Sequence, residues 1–363
     1  MLTFHPLKVA DVRSEGSDAL CISFEVPDSL RDAYRFLPGQ HVGVRARIGG
    51  QEVRRTYSIC SAADDSHLRI GVRIHDNGCM SQYLANQLQA GDSIEVLTPT
   101  GRFFAEPEAS AARTYCAFAG GSGITPILGI VKNLLANEPA SRITLFYSNR
   151  TTATIMFAEE LLALKNRYPQ RLSLNFLLSR EPQDVELFNG RLDRDKVKLL
   201  SREVFDALET DAYFLCGPGD MIESVRDTLL DLGVDTKRIH MERFASDMPA
   251  GSSQPAVALQ AKPKKVTVEE VARITITMDG RQRTFAMLDD DATILDAAER
   301  VGMELPYSCR AGVCSTCRVK VTSGTADMDV NYALEPWEVQ AGFVLCCQAR
   351  PTSGELELTY DER

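Results

Sequence analysis

The chain has 363 residues, 44% of them hydrophobic and 25% charged, and 50 Asp and Glu against 40 Lys and Arg give a net charge of −10. At roughly 100–200 residues per domain this length holds two or three domains, and the acidic balance argues against a nucleic-acid partner, whose phosphates demand a basic footprint. No apolar run reaches the roughly 20 residues of a membrane span: Cys116 to Val131 is interrupted by Gly120, Gly121, Ser122, Gly123 and Pro126, and the N-terminus shows no basic region followed by an apolar core.

The first hundred residues read as all-β. In His41 to Ile48 and in His67 to Ile74, apolar side chains alternate with other residues, the period-two mark of strands with one buried face. Pro38-Gly39, Gly49-Gly50, Asn77-Gly78 and Gly91-Asp92 supply turns between strands, which together predict an antiparallel barrel or sandwich interrupted by one short helix near Ser81 to Leu88. Arg55-Thr56-Tyr57-Ser58 falls at the end of a barrel strand. Tyr57 can stack on a flavin ring, Ser58 can hydrogen-bond its N5, and Arg55 can neutralise a pyrophosphate. Gly78-Cys79-Met80-Ser81 opens the short helix, whose first amides suit a second phosphate. Taken singly, each motif also reads as an ordinary strand or turn; their order in one barrel points to a flavin.

From about Arg113 the pattern changes to buried strands alternating with helices: Tyr115 to Ala119, a helix near Pro126 to Ala136, Ile143 to Tyr147, a helix near Phe157 to Lys165, then Leu172 to Leu178 and Ala212 to Cys216. This predicts a parallel sheet covered by helices on both faces. Gly120-Gly121-Ser122-Gly123-Ile124-Thr125-Pro126 follows the first strand and opens a helix, as a dinucleotide-binding turn does, although Pro126 stands where the usual fingerprint has its third glycine. Cys216-Gly217-Pro218 ends a later strand in the same way, so the two turns are expected to line one crevice. Cys216 is then either a buried structural thiol or a neighbour of the nicotinamide. Ser148 and Arg150 after the second strand, and Ser179 and Arg180 after the third, offer hydroxyl and guanidinium groups to a 2′-phosphate, favouring NADPH over NADH.

Residues 245–268, rich in Pro, Gly, Ser and Lys, read as a flexible linker. Beyond it, Ile274 to Met278, Asp279-Gly280 and Arg281 to Met287 predict a hairpin. A helix near Thr293 to Val301, a strand at Val319 to Val321, a short helix after Pro336 and a final strand at Glu355 to Tyr360 follow. Cys309, Cys314 and Cys317 are spaced C-x4-C-x2-C, with a fourth cysteine about thirty residues on, the plant-type spacing of a [2Fe–2S] cluster. A structural zinc site would prefer two short Cys pairs. Cys346 and Cys347 are adjacent, and spacing alone leaves either as the fourth ligand; on a strand, one would face the loop and the other away. Ten cysteines with no export signal fit a reducing, cytoplasmic setting and metal or redox duty.

Taken in order, Pro38-Gly39-Gln40, Arg55-x-Tyr57-Ser58, Gly120 to Pro126, Cys216-Gly217-Pro218-x-x-Met221, Glu242-Arg243-Phe244 and the four cysteines resemble a ferredoxin–NADP reductase-type module fused to a plant-type ferredoxin, over the whole chain. Within that superfamily, Leu2 to His5, Tyr34 to His41, Tyr57 to Cys60, Asn149 to Thr151, Asn331 to Pro336 and Gly342 to Gln348 are similar to the reductase components of bacterial phenylacetyl-CoA epoxidases. The resemblance implies three domains: an FAD-binding antiparallel β-barrel at 1–107, an NAD(P)-binding α/β domain at 108–244 and, after the linker, an α+β β-grasp ferredoxin domain at 269–363. It implies FAD contacts from Arg55, Tyr57, Ser58, Val72, Arg73, Gly78, Met80 and Ser81, with Phe244 packed near the ring. It implies NADPH contacts from Gly121, Ser122, Gly123, Thr125, Pro126, Ser148, Arg150, Ser179, Arg180, Cys216, Gly217 and Pro218. Ser58, Cys216 and Glu242 would stand at the reacting atoms, Glu242 either tuning flavin protonation or forming a salt bridge to a nearby Arg. Cys309, Cys314, Cys317 and Cys347 would hold the cluster, leaving Cys346 a small buried hydrophobe. Asn77 departs from the glycine frequent in related reductases, but Asn tolerates left-handed geometry.

The implied function is NADPH-dependent electron delivery, through FAD and the cluster, to a di-iron oxygenase component of a phenylacetyl-CoA epoxidase. The same architecture could serve a Rieske dioxygenase or another aromatic oxygenase, and a redox-sensing or zinc-binding interaction protein is the reading from another class. Residues 269–363 hold 17 acidic and 9 basic residues, so most of the negative charge is expected on the ferredoxin domain, where it would steer docking to a basic oxygenase surface.

Overall fold

The structure is a computed structural model that describes residues 2–63, 65–244 and 269–362; the expected linker at 245–268 lies outside the described residues. Residues 4–243 cluster as one compact unit and those from 244 onward as a second.

The first unit begins with β1 (Phe4–Ser14), β2 (Ala19–Glu25), β3 (His41–Ile48), β4 (Gln51–Ser58), β5 (Leu68–Arg73), α1 (Cys79–Asn86) and β6 (Ser93–Leu97). The six strands form one antiparallel sheet in the order β4-β3-β6-β1-β2-β5. The edge strands β4 and β5 are tied to each other just beyond β4 by an Ile59–Ile70 bridge, which curls the sheet round as the expected barrel requires. Its interior is filled by Leu7, Val9, Ile22, Phe24, Val42, Val44, Ile70, Val96 and, from α1, Met80 and Leu84. The helix starts two residues earlier than the sequence suggests, because Gly78 in an extended conformation is its N-cap.

The chain continues through β7 (Thr114–Gly120), α2 (Ile124–Asn137), β8 (Arg142–Asn149), α3 (Ala158–Arg167), β9 (Leu172–Leu178), α4 (Arg194–Glu203), β10 (Ala212–Cys216), α5 (Gly219–Asp231) and β11 (Ile239–Glu242). All strand pairings are parallel, in the order β11-β10-β7-β8-β9. The order reverses between β7 and β10, and ligands of such sheets bind in the crevice outside the strand C-termini at that point. Both glycine turns stand there. At the opposite end, Glu138 is fully buried and accepts hydrogen bonds from Tyr115 Oη, Ser141 Oγ at 2.6 Å and the Glu108 amide at 3.0 Å.

The second unit contains β12 (Glu270–Met278), β13 (Arg281–Leu288), α6 (Ile294–Arg300), β14 (Arg318–Ser323), β15 (Ala326–Met328), α7 (Pro336–Gln340), β16 (Phe343–Leu345), β17 (Ala349–Pro351) and β18 (Glu355–Thr359). The main sheet runs β13-β12-β18-β14-β16, with β12 and β18 parallel, and β15 pairs with β17. This mixed sheet with α6 packed on it is the α+β fold expected for the domain. Asp279 and Gly280 both have positive φ (52° and 69°), which a two-residue type I′ turn requires, and the Asp361 carboxylate accepts from both their amides, at 2.7 and 2.9 Å.

Replacing Glu138 by Ala strands the buried Tyr115 hydroxyl without its acceptor and leaves Ser141 only its longer bond to the Ala111 carbonyl, at a cost of about 3 kcal/mol. Thermal unfolding of Glu138→Ala is expected to show Tm lowered by roughly 6–12 °C; an unchanged Tm would remove Glu138 from the account of stability.

Candidate functional site

The two glycine turns at the switch point are in backbone contact. A Cβ on Gly123 would lie 2.1 Å from the Cys216 carbonyl oxygen, and one on Gly120 would lie 2.6 Å from Pro218 Cδ. Only glycine permits that approach. Gly121 has φ +51° and open space apart from the Arg73 guanidinium at 3.7 Å, so its backbone is accessible to a ligand. Tyr147, buried on β8, pins the first turn by donating to the Gly121 carbonyl at 2.9 Å. Ser122 keeps its side chain near the surface, whereas Thr125 turns inward: its hydroxyl donates to the Ser122 carbonyl at 2.9 Å and its methyl group packs beside Gly71 of β5. Pro126 is buried in α2.

Strand register gathers the expected reacting groups. Cys216 pairs with Ala119 on one side and Glu242 on the other, and the Cys216 side chain is fully buried. Ser58 Oγ donates to Glu242 Oε2 at 3.2 Å. Glu242 Oε1 lies 3.6 Å from His41 Nδ1, with both side chains nearly buried. His41 is the register partner of Ser58, and its ring fits only because residue 101 is glycine; a Cβ there would lie 2.8 Å from Nδ1. The carboxylate therefore engages Ser58 and His41, while the neighbouring Arg243 pairs with Glu223 at 3.0 Å. Sequence reasoning passed over His41, although it stands next to Pro38-Gly39-Gln40.

The residues expected around the flavin are distributed as follows. Tyr57 is half-buried against the sheet core, and desolvation raises its phenol above the ordinary value. Val72 is fully buried in that core, so only its backbone can meet a ligand. Arg55 is exposed and donates to the Arg54 carbonyl at 2.7 Å. At α1, Met80 is core, and the Ser81 hydroxyl is turned back to the Gly78 carbonyl at 3.1 Å. Phe244 is half-buried and clusters with the second unit. Arg73 lies against Gly121 and pairs with Asp18 of the β1–β2 hairpin.

On the sheet's other flank, Arg150 follows β8 and Arg180 follows β9, with the Arg180 amide donating to the Arg150 carbonyl at 2.8 Å. Ser148 lies in β8 opposite Gly120, and Ser179 Oγ donates to the Asn149 carbonyl at 3.3 Å. Arg150 also pairs with Asp18, at 3.0 Å. Asp18 carried no motif in the sequence.

In the second unit, Cys314, Cys317 and Cys347 are buried and Cys309 is partly exposed. The loop that carries Cys309, Cys314 and Cys317 has left-handed backbone at Arg310, Gly312 and Ser315 (φ 54°, 71° and 51°), and the Ala311 amide donates to Cys309 Sγ at 3.3 Å. The Arg310 guanidinium ties the loop to Asp296 and Glu299 of α6, and Gln348 donates to the Arg310 carbonyl at 2.9 Å. The Cys309, Cys314, Cys317 and Cys347 thiols lie close enough to perturb one another's ionisation. For Cys347 the Cys309 contact lowers the thiol, but Cys317, burial and the other thiols outweigh it and hold it above its ordinary value. Among the described residues no three His, Cys, Asp or Glu side chains gather as ligands of one metal ion; a [2Fe–2S] cluster divides its thiolates between two irons. Cys346 and Cys347 are not on a strand but in the turn between β16 and β17. Cys346 accepts from Tyr360 Oη at 3.2 Å, and burial pushes its thiol up to about 12. Three soft thiolate donors on a tight loop with an inward amide, and a fourth from the β16–β17 turn, fit an iron–sulfur cluster.

Comparison with known proteins matches this arrangement. Residues 6–104 match the oxidoreductase FAD-binding domain, 118–227 the oxidoreductase NAD-binding domain and 276–352 the 2Fe-2S iron-sulfur cluster binding domain. The chain belongs to the family of NAD(P)H-dependent oxidoreductases that join these three domains and act as reductase components of oxygenases. Over 363 residues, 100% of this chain and 99% of the other, it is 41% identical to a subunit of the 1,2-phenylacetyl-CoA epoxidase of Escherichia coli. It is 32% identical, over 98% of this chain and 96% of the other, to the ferredoxin reductase component of 3-ketosteroid-9-alpha-monooxygenase of Mycobacterium tuberculosis. In fold it is similar to phthalate dioxygenase reductase, with TM-score 0.57, 21% identity and 98% of each chain covered. Among the described residues no helix is long and apolar enough to cross a membrane.

Cys347→Ser is expected to remove the iron–sulfur absorbance from purified protein, and Cys346→Ser to keep it. The reverse pattern of visible spectra would reassign the fourth ligand.

Proposed function

We propose that the chain draws electrons from NADPH and delivers them to the di-iron oxygenase component of a phenylacetyl-CoA epoxidase. The observation that carries this reading is the 41% identity to the Escherichia coli epoxidase subunit, which spans both chains nearly end to end. When bound, the flavin accepts a hydride from the nicotinamide and the cluster passes electrons on singly.

The chain's own residues supply position and charge. In this reading residues 1–107 hold FAD, residues 108–244 hold NADPH and residues 269–363 hold the cluster on Cys309, Cys314, Cys317 and Cys347. Tyr57 and Arg55 orient the flavin and its phosphates, helped by the Gly78–Ser81 turn. The Ser58 hydroxyl would face N5 of the bound flavin, with Glu242, the carboxylate it donates to, one hydrogen bond behind it. Cys216 closes the crevice at the nicotinamide end and, being buried, excludes water there. Gly121, Ser122 and Gly217 receive the pyrophosphate on backbone amides. Arg150 and Arg180, on adjacent strand ends, meet the 2′-phosphate, which supports NADPH over NADH. Ten reduced cysteines suit the cytoplasm, and an acidic ferredoxin domain suits a basic docking surface on the oxygenase.

Reconstitution with purified oxygenase components tests the partner. NADPH-dependent epoxidation of phenylacetyl-CoA is expected; turnover only with a Rieske-type oxygenase would overturn it. In steady-state assays kcat/KM for NADPH should exceed that for NADH. Arg180→Ala should raise KM for NADPH about tenfold, the worth of one charge-assisted phosphate contact, and leave NADH unchanged. Ser58→Ala should lower kcat by about tenfold or more with KM little altered.

A further inference from the structure

Asp18, at the tip of the β1–β2 hairpin, is gripped from two sides. Arg73 Nη1 donates to one carboxylate oxygen and Arg150 Nη2 to the other at 3.0 Å. Arg73 ends β5, lies against Gly121 of the first glycine turn and donates through Nη2 to the Thr154 carbonyl at 3.2 Å. Arg150 stands one residue beyond β8, in the row of strand ends that flanks the switch point. The hairpin is seated there by its backbone as well: the Ser17 amide donates to the Ala153 carbonyl at 2.8 Å, and the Asp18 carbonyl accepts from the Ile74 amide at 2.8 Å. One carboxylate thus neutralises two cations that border the nucleotide crevice.

The pair is not deeply buried. The Arg150 side chain is 56% exposed and that of Asp18 27%, so water screens it and it contributes little to stability. A dianionic phosphate with three strong acceptor oxygens competes well for such a guanidinium. We infer that Asp18 is an internal competitor for nucleotide phosphate and thereby a specificity-determining residue. It occupies Arg150 in the free enzyme, and the 2′-phosphate must draw the guanidinium away from it. Once displaced, Asp18 remains as a like charge close to the bound phosphate. The strength of the preference for NADPH is therefore set partly by a residue of the flavin domain's hairpin. This rests on the proposed role of Arg150 in nucleotide binding.

Calorimetry on the flavin-loaded holoenzyme tests it, with adenosine 2′,5′-bisphosphate and adenosine 5′-monophosphate as probes. In Asp18→Asn the ratio of the two affinities is expected to move about fivefold toward the bisphosphate at low ionic strength. The shift should shrink in about 0.5 M salt, where charges are screened within a few ångströms. Asp18→Ala should give the same ratio, which separates loss of charge from any hydrogen bond made by Asn. In an Arg150→Ala background, Asp18→Asn should shift the ratio clearly less than in the wild-type background, because the competition for the guanidinium is gone and only the like-charge part remains; an equal shift in both backgrounds would overturn the competition. The flavin spectrum of each variant reports that it is folded. An identical ratio in wild type and Asp18→Asn overturns the inference. Equal affinity of the wild type for the two probes overturns the NADPH reading instead, independently of what Asp18→Asn does.

Discussion

The first unit depends on one steric condition: two strand-to-helix turns must touch backbone to backbone. With Gly123 on the Cys216 carbonyl and Gly120 against Pro218, β7 and β10 end level with each other. That alignment opens the crevice at the switch point and points the starts of α2 and α5 toward it. It also places Glu242 beside Cys216, because β11 pairs in register with β10. A single methyl group at either glycine would separate the turns, and the groups that meet at Glu242 would separate with them.

Around that contact the polar groups are held by residues from both halves of the unit. Ser58 and His41 come from the antiparallel sheet, Glu242 from the parallel one. Asp18 reaches Arg150 across the same boundary, and Arg69 of β5 reaches Glu160 of α3 at 2.8 Å. The flavin and nucleotide regions are thus one mechanical body, which suits a transfer that tolerates little misplacement between ring systems. The cysteine loop solves a different problem in the second unit. There, three left-handed residues and the Arg310 anchor impose a shape that thiol chemistry alone would not hold.

Much of this was legible in the sequence where a local rule applies. Strand β3 alternates as a half-buried strand should, and the glycine turns, the Asp279-Gly280 hairpin and the cysteine spacing were readable from a few adjacent residues. Strand β2 was not: six of its seven residues are buried, so it has no polar face and no period. The short pieces β15, β16 and β17 fall below any useful window. His41 and Asp18 were invisible for another reason, since each matters through a partner more than a hundred residues away in sequence. The choice between Cys346 and Cys347 was framed as a question of strand faces. The residues occupy a turn instead, where successive side chains need not oppose, so strand faces do not decide between them and Cys347 rests on the family resemblance, while Cys346 Sγ accepts from Tyr360 Oη.

The parallel pairing of β12 with β18 has a kinetic consequence. Arg273 lies opposite Glu355, so the central pair of the second sheet joins strands about eighty residues apart. Local hairpins such as β12–β13 form in microseconds, but a pairing of that span must first overcome the entropy of closing the whole intervening loop. Cys309 through Cys347 all lie inside that loop. The whole cysteine set is thus enclosed by the slowest-forming pair of its sheet, while Cys309, Cys314 and Cys317, within nine residues of one another, need no long-range closure to meet.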